Sequence, residues 1–393
     1  MISLHLYRKV LGRSEIRSAF LASIVGRIPI GMTGLGILLL CQSESGSFAY
    51  AGATVACYIA GLATMAPFLG RIIDRSGPRR VLWICGLIYP STLLALCGAL
   101  ITSVAPWTVA ALATVTGAGY PPITVCMRTF FRQRLAEEQM LSSAYSLESV
   151  LIETVFVIGP LLVAWLVAAA SPALAVSFAA ICGFAGVFVF LGSPALSHWK
   201  IERHEAGSIF GPMAEPGFAP LLAVVLCYSG AFGLVEIGLT AFAAEIGHPA
   251  LAGVFLGLMS LGSALGGLAY GSRSWRTALS RQFSCALALI GAGVGILALV
   301  RSPWLFAALS MLSGVVMAPA LTVQAMLVAR TAPARFATEA FTWSATALLA
   351  GIGAGMAAGG LLLERATSAA VLGAAGATAM LGAAAALGAL RRR

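Results

Sequence analysis

Three ionisable side chains, Arg27, Glu148 and Glu153, stand deep inside long apolar runs of this sequence. On insertion scales a charge in a bilayer costs at least about 2.5 kcal/mol, so such residues mark ion pairs, proton relays or substrate contacts. The two glutamates lie in Tyr145-Ser146-Leu147-Glu148-Ser149-Val150-Leu151-Ile152-Glu153. Their spacing turns them about 140° apart on a helix, so they do not share a face. The two can therefore have different surroundings, one beside a cation and the other facing a cavity. A carboxylate left there without a cation exchanges protons and couples a proton gradient to movement; a buried structural ion pair is the plainer use of the same residues.

The elements that carry these charges are membrane helices. The chain is 60% hydrophobic with only 10% charged residues, and its mean hydropathy is +0.95. That is more apolar surface than a soluble core can hide. Twelve stretches are long enough to cross the hydrocarbon, at 18–41, 48–69, 80–101, 105–128, 141–167, 172–193, 217–243, 249–271, 283–300, 303–328, 336–362 and 367–390, here numbered helices 1 to 12. Counting about 1.5 Å per residue from the inner end of each helix puts Glu148 roughly 10 Å deep, Glu153 roughly 18 Å and Arg27 roughly 13 Å. Glu236 falls near the outer end of helix 7 and Glu339 near the inner end of helix 11, where each can reach the interface. The histidines, His5, His198, His204 and His248, fall in loops or tails and supply no relay inside the membrane.

The net charge of +10 reflects topology rather than nucleic-acid binding. With the N-terminus in the cytoplasm, 21 of the 24 Lys and Arg residues, from Arg8 through Arg203 to Arg391–Arg393, lie on that side; Arg301 and Arg365 lie outside and Arg27 within a helix. This is the bias of a multi-pass cytoplasmic (inner) membrane protein with both termini inside. The first apolar stretch is too long for a signal peptide and contains Arg27. All eight cysteines fall in or at the end of helices without metal-ligand spacing, and are read as small packing residues rather than a disulfide framework or metal site. No nucleophile constellation, phosphate loop or cofactor motif points to an enzyme.

The only aspartate, Asp74, lies in the turn between helices 2 and 3, within Gly70-Arg71-Ile72-Ile73-Asp74-Arg75-Ser76-Gly77-Pro78-Arg79-Arg80. The pattern G-x-x-x-D-R-x-G-x-R-R resembles the signature loop of the major facilitator superfamily of secondary transporters. The helix count and topology agree with this, as does a polar stretch at 194–216. A weak internal echo pairs Gly70 with Gly271, Pro121 with Pro319 and Gly159 with Gly355, at offsets of about 201, 198 and 196 residues. The resemblance implies an all-α integral membrane protein of two pseudo-symmetric six-helix bundles, 1–193 and 217–393, joined by a cytoplasmic central loop, with substrate held between them.

By the same resemblance Asp74 locks the cytoplasmic side against the N-terminal end of helix 11, with Gly70 and Gly77 permitting close approach. Arg75 and Arg79 support it, and Arg128 and Glu339 are further gate residues. The second-half echo, Gly271-Ser272-Arg273, has lost its acid, which argues against a symmetric gate. Helices 1 and 5 become neighbours, so Arg27 can pair with one glutamate. Gly159-Pro160 matches the core of a helix 5 motif associated with antiporters, although Leu161-Leu162-Val163 replaces its following glycines. Pro29, Pro121, Pro122 and Pro319 loosen cavity-lining helices 1, 4 and 10. Gly262, Gly266 and Gly267, with Gly351, Gly355 and Gly359, form close-packing faces, for ordinary core packing or for the interface with the opposite bundle, of which the family geometry favours the interface. Tyr120, Tyr145, Tyr228, Gln324 and Trp343 are the candidate cavity residues and suit an amphiphilic compound. The expectation is a monomeric, proton-coupled carrier of a small solute, working in export, without cofactor or metal. Proton-coupled nutrient uptake and a non-transporting receptor or scaffold of the same fold are the alternatives.

Overall fold

The computed structural model describes residues 4–102, 104–197, 199–201, 211–248 and 251–389. The described chain is helical apart from its turns, with no strand. Twelve spans are long and apolar enough to cross a membrane: Ser14–Ser45, Tyr50–Ser76, Pro78–Ile101, Pro106–Arg134, Glu138–Ala169, Pro172–Leu191, Phe218–Glu245, Leu251–Gly271, Leu279–Leu297, Pro303–Thr331, Ala334–Leu363 and Ser368–Ala389. A helix satisfies its own backbone groups where no water can, which is why an apolar chain of this kind takes no other form in a bilayer. Large apolar side chains such as Phe68, Trp107, Leu161, Trp165 and Trp304 are exposed on the outside, where lipid covers them.

The turns follow from local chemistry. Ser47 and Ser171 accept the N–H groups of Tyr50 and Leu174, each at 3.2 Å, and cap the helices that follow. Pro78, Pro106, Pro172 and Pro303 occupy first helical positions, where a missing N–H costs nothing. Three spans are interrupted. The first breaks between Val25 and Ile28, the fourth between Ala118 and Ile123 around Pro121 and Pro122, and the tenth between Gly314 and Met317, just before Pro319. Pro160, in contrast, sits inside the unbroken helix Glu138–Ala169.

Spans one to six and seven to twelve form two six-helix bundles. They meet mainly through spans two and eleven and through five and eight, with five against ten and four against eleven adding to the junction. An even number of crossings returns the chain to one face of the membrane, called here the terminal face. On it lies a short helix before the first span, Leu4–Leu11, which the sequence reading did not anticipate and which packs on the fifth span. The central polar stretch is described only at its ends, as turns at Pro194–Ser197 and Gly211–Ala214; His198, Arg203, His204 and Arg391–Arg393 lie outside the described residues.

Of the two uses expected for the glycine faces of spans eight and eleven, core packing within the second bundle is the one observed, and not the interface that the family geometry favoured. A Cβ on Gly262 or Gly266 would meet the Met311 or Val315 carbonyl of span ten, and one on Gly351 or Gly355 would meet Ser229 or Gly230 of span seven. These glycines close the second bundle internally, because carbonyls of neighbouring helices occupy the space a methyl would need. Only Gly267 of the set faces the first bundle, with Val150 Cγ2 at 3.0 Å from its missing Cβ.

In the first bundle the close approach that matters joins spans one and five. A Cβ on Gly159 would lie 2.6–2.8 Å from the backbone of Gly31, and one on Gly31 would lie 2.4 Å from the Val155 carbonyl oxygen. Neither backbone can retreat without parting the two spans. Gly159→Ala is expected to lower stability by about 1–3 kcal/mol, the range for forcing a methyl into a packed site. Thermal unfolding in detergent measures this, with Gly34→Ala as the control, since a methyl there meets nothing within 4 Å.

Candidate functional site

The junction between the bundles is closed from the terminal face inward. Asp74, at the end of the second span, is 7% exposed and reaches the start of the eleventh. Its two carboxylate oxygens accept the backbone N–H groups of Thr338, at 2.9 Å, and Glu339, at 2.8 Å. The first N–H groups of a helix have no partner within it and carry the positive end of its dipole, so a carboxylate is the natural cap. Gly70 makes the approach possible, because a Cβ there would sit 2.5 Å from Thr342 Oγ1 and 2.8 Å from Glu339 Cα. One turn earlier, Arg71 donates from Nε (3.1 Å) and Nη2 (2.6 Å) to a single oxygen of Glu339, which is 1% exposed.

Arg75 and Arg79 are exposed and have no hydrogen bond or ion pair in this contact among the described residues. Gly77 is at φ 82°, a left-handed conformation that ends the second span and lets Pro78 begin the third. Arg128 stands apart from Asp74; the charged groups it senses are Glu148 and Arg27. The arginine that reaches this contact is Arg71, three residues before the aspartate, which pairs with Glu339.

A second contact mirrors the first with opposite polarity. The last turn of the eighth span offers carbonyls, and hydroxyls from the first part of the chain take them. Ser143 donates to Gly271 at 2.6 Å, Ser146 to Gly267, and Tyr7 of the N-terminal helix to Leu268 at 2.7 Å. Tyr7 is 5% exposed, and burial pushes its hydroxyl above the usual range, so it remains a donor. The echo loop that lost its acid therefore still binds, through carbonyls in place of amides. Tyr7 went unseen in the sequence because its partner is more than 250 residues away.

Toward the middle of the membrane the charges gather. Arg27 lies at the break in the first span, and its Nη2 stands 2.9 Å from Glu148 Oε1, with the two residues 2% and 0% exposed. The approach is off-line for a hydrogen bond, and all three guanidinium nitrogens and both carboxylate oxygens lack such a partner. Glu153 points elsewhere: it accepts Ser263 Oγ of the eighth span at 2.9 Å, with Ser260 beside it. Ser263 Oγ in turn accepts the N–H of Ala318, at the break in the tenth span, at 3.0 Å. Glu236 is exposed on the seventh span and has no side-chain partner among the described residues.

The aromatic candidates separate into two groups. Tyr145 packs edge-on against Phe341 across the junction, with centroids 5.9 Å apart, and its hydroxyl donates to the Arg128 carbonyl at 3.2 Å. Tyr228 donates to Gln324 Oε1, and Gln324 Nε2 donates to Ser344 at 2.7 Å, a chain across spans seven, ten and eleven. Tyr228 and Tyr145 both lie within electrostatic reach of Arg128. Tyr120 instead stands edge-on to Tyr89 at 5.3 Å, within reach of Arg27. Trp343 Nε1 is buried without a hydrogen-bond partner. Among the described residues every hydrogen bond between the bundles lies between the terminal face and the middle of the membrane, from Asp74–Thr338 to Ala63–Thr346 and Glu153–Ser263.

A family model described as the Major Facilitator Superfamily matches residues 19–281. No curated protein matches the sequence. Among solved structures, a bacterial homologue of the iron transporter ferroportin, in an outward-facing state, superposes with a TM-score of 0.80 at 17% identity, covering 96% of this chain and 99% of that one. The human organic anion transporter MFSD10 (TETRAN) gives 0.74 at 18% identity, covering 95% and 99%. The E. coli fucose:proton symporter gives 0.70 at 16% identity, covering 94% and 98%.

Two outcomes test the closure. Asp74→Asn replaces one acceptor by a donor and loses at least one charge-assisted bond of about 1.5–3 kcal/mol, so the open population on the terminal side rises roughly tenfold or more. The rate at which Ala340→Cys reacts with a thiol reagent applied from that side reads the change. Tyr7→Phe removes one neutral bond of about 1 kcal/mol and raises the same rate only about fivefold. Equal rates in all three backgrounds would dismiss the gate.

Proposed function

Because the chain belongs to the Major Facilitator Superfamily, we propose that it is a secondary active transporter that carries a small amphiphilic solute out across the cytoplasmic membrane by alternating access, in exchange for protons. The carrying observation is the different company of the two buried glutamates. Glu148 faces Arg27 at 2.9 Å, whereas Glu153 meets only hydroxyls, with no cation in ion-pairing range among the described residues.

The hydrogen bond from Ser263 to Glu153 joins the fifth and eighth spans where the two bundles part. A hydroxyl bound to a carboxylate is held roughly twice as strongly as one bound to a neutral acceptor. Protonation of Glu153 therefore loosens the bundles at the middle of the membrane, and loss of the proton draws them together again. Since Ser263 also accepts the Ala318 N–H, the change reaches the break in the tenth span. Asp74 and the hydroxyls on the eighth span hold the terminal side shut in the same state in which Ser263 binds Glu153. The basic bias assigns that side to the cytoplasm. Gly159-Pro160 in the fifth span favours the export direction. The fold alone is silent about cargo, because proteins that share it are described as a homologue of an iron transporter, an organic anion transporter and a fucose:proton symporter.

Proteoliposomes with an imposed pH gradient, screened over anionic, neutral and cationic amphiphiles, test this reading. Glu153→Gln is expected to abolish gradient-driven accumulation while leaving counterflow exchange within about twofold of the parent. Glu148→Gln leaves Arg27 buried and unpaired, at a cost of about 3–5 kcal/mol, and lowers folded yield and both activities. Uphill accumulation that survives Glu153→Gln would sink the coupling assignment, and absence of counterflow for every solute would favour the scaffold.

A further inference from the structure

We infer that the solute is an organic monoanion, of the carboxylate type, whose charge docks on Arg128 with Arg27 behind it. The inference rests on the transport reading and specifies its cargo. Its first basis is a charge inventory. Arg27, Arg128 and Glu148, on the first, fourth and fifth spans, lie within mutual electrostatic reach, two cations against one carboxylate, and Arg128 also lies within reach of Tyr228 on the seventh span. With all three ionised the cluster holds a net charge of +1.

The charged groups on the surrounding elements do not cancel it. Asp74 is spent on the Thr338 and Glu339 amides, and Glu339 on Arg71. Glu153 is directed to Ser263 on the eighth span. Arg132, one turn further toward the terminal face, adds positive charge and is directed to the Ala332 carbonyl at 2.5 Å. Arg128 itself makes no ion pair with any described carboxylate. Inside a membrane such a surplus is costly enough to need a use.

The second basis is a donor count. Nε, Nη1 and Nη2 of Arg27 and Nε of Arg128 are buried without a hydrogen-bond partner, against two unpartnered oxygens on Glu148. Each guanidinium presents five N–H donors and no acceptor. The cluster is therefore short of acceptors as well as of negative charge. A carboxylate supplies both, in the planar two-oxygen geometry that a guanidinium matches.

The neighbouring hydroxyls are already engaged. Tyr145 donates to the Arg128 carbonyl and Tyr228 to Gln324. What these residues leave for a solute is ring surface, which suits an apolar or aromatic body attached to the anionic group. The apolar body and single charge together describe an amphiphilic monocarboxylate.

The test uses the purified full chain and atom-matched probes, 2-naphthoate against 2-naphthamide, with a 2-naphthylmethylammonium salt as the cationic counterpart. Binding is read by thermal shift in detergent and by competition for counterflow in proteoliposomes. The carboxylate is expected to bind at least tenfold more tightly than either counterpart. Arg128→Gln is expected to reduce its affinity roughly tenfold to hundredfold, the loss of a charge-assisted contact, and Arg128→Lys to restore part of it. The probe-free Arg128→Gln protein should unfold no earlier than the parent, because the substitution removes a surplus charge and leaves the Arg27–Glu148 pair intact. A lower unfolding temperature of the probe-free variant would assign Arg128 a structural role and overturn the inference. Equal or weaker response to the carboxylate, or no response to any probe, would overturn it too. Counterflow of neutral or cationic members of the wider panel would leave the transport reading standing, whereas failure of counterflow for every member would remove that reading as well.

Discussion

Burying the Arg27 guanidinium against the Glu148 carboxylate is the constraint on which the first bundle depends. Two desolvated charges repay their cost only when held close, and removing either partner is worse than never having buried them. The chain meets this with backbone. The first span breaks at Arg27, whose N–H returns to the Ile24 carbonyl at 3.1 Å and whose carbonyl accepts the Ile30 N–H at 3.0 Å. One turn on, Gly31 and Gly159 bring spans one and five into backbone contact. The break places the charge and the glycines set its distance, so the pair is a property of three local features acting together.

Closure of the terminal face rests on a different economy, in which the ends of helices serve as the binding groups. The eleventh span presents unpaired amides and Asp74 takes two of them; the eighth presents carbonyls and Ser143, Ser146 and Tyr7 take those. Both rely on the orphan groups every helix end must expose. They differ in strength, since the carboxylate bonds are charge-assisted and the hydroxyl bonds are not. The pseudo-symmetric bundles are therefore fastened by unequal clasps, with the acid on one side and neutral donors on the other.

Most of the architecture was legible because a bilayer narrows the choices. Twelve apolar lengths, a one-sided distribution of Arg and Lys, and the run from Gly70 to Arg80 suffice for the count, the common face of the termini and the place of Asp74. Boundaries drifted by a few residues, as with the first span, which starts at Ser14 rather than 18 because its polar first turn extends beyond the apolar run. The choice of Glu148 over Glu153 for Arg27 was not legible. It depends on the rotation of the fifth span, fixed by the Gly31–Gly159 contact and by Ser263 on a neighbouring span. Arg75 and Arg79 stand out from the loop by resemblance and Arg71 does not, yet Arg71 is the one that reaches Glu339, a partner 268 residues away that the loop itself gives no sign of. The glycines of spans eight and eleven carried the right signal of close packing, but a sequence cannot say which neighbour occupies the groove.

The three acids at the junction divide its work by the partners they were given. Asp74 is bound by two backbone amides at the start of the eleventh span, so its contact reports the position of that helix end. Glu148 stands against a cation, with Arg27 Nη2 at 2.9 Å. Glu153 is bound by a hydroxyl, the partner least able to hold it when its charge is lost. Glu148 and Glu153 share one unbroken helix, Glu138–Ala169, about 7.5 Å apart along its axis. No break lies between them, in contrast with spans one, four and ten, so displacement of the fifth span at one acid is felt at the other. On the proposed function, a solute at the Arg27, Arg128 and Glu148 cluster and a proton on Glu153 would bias the same rigid element, and coupling between them would need no relay of side chains to connect the two sites.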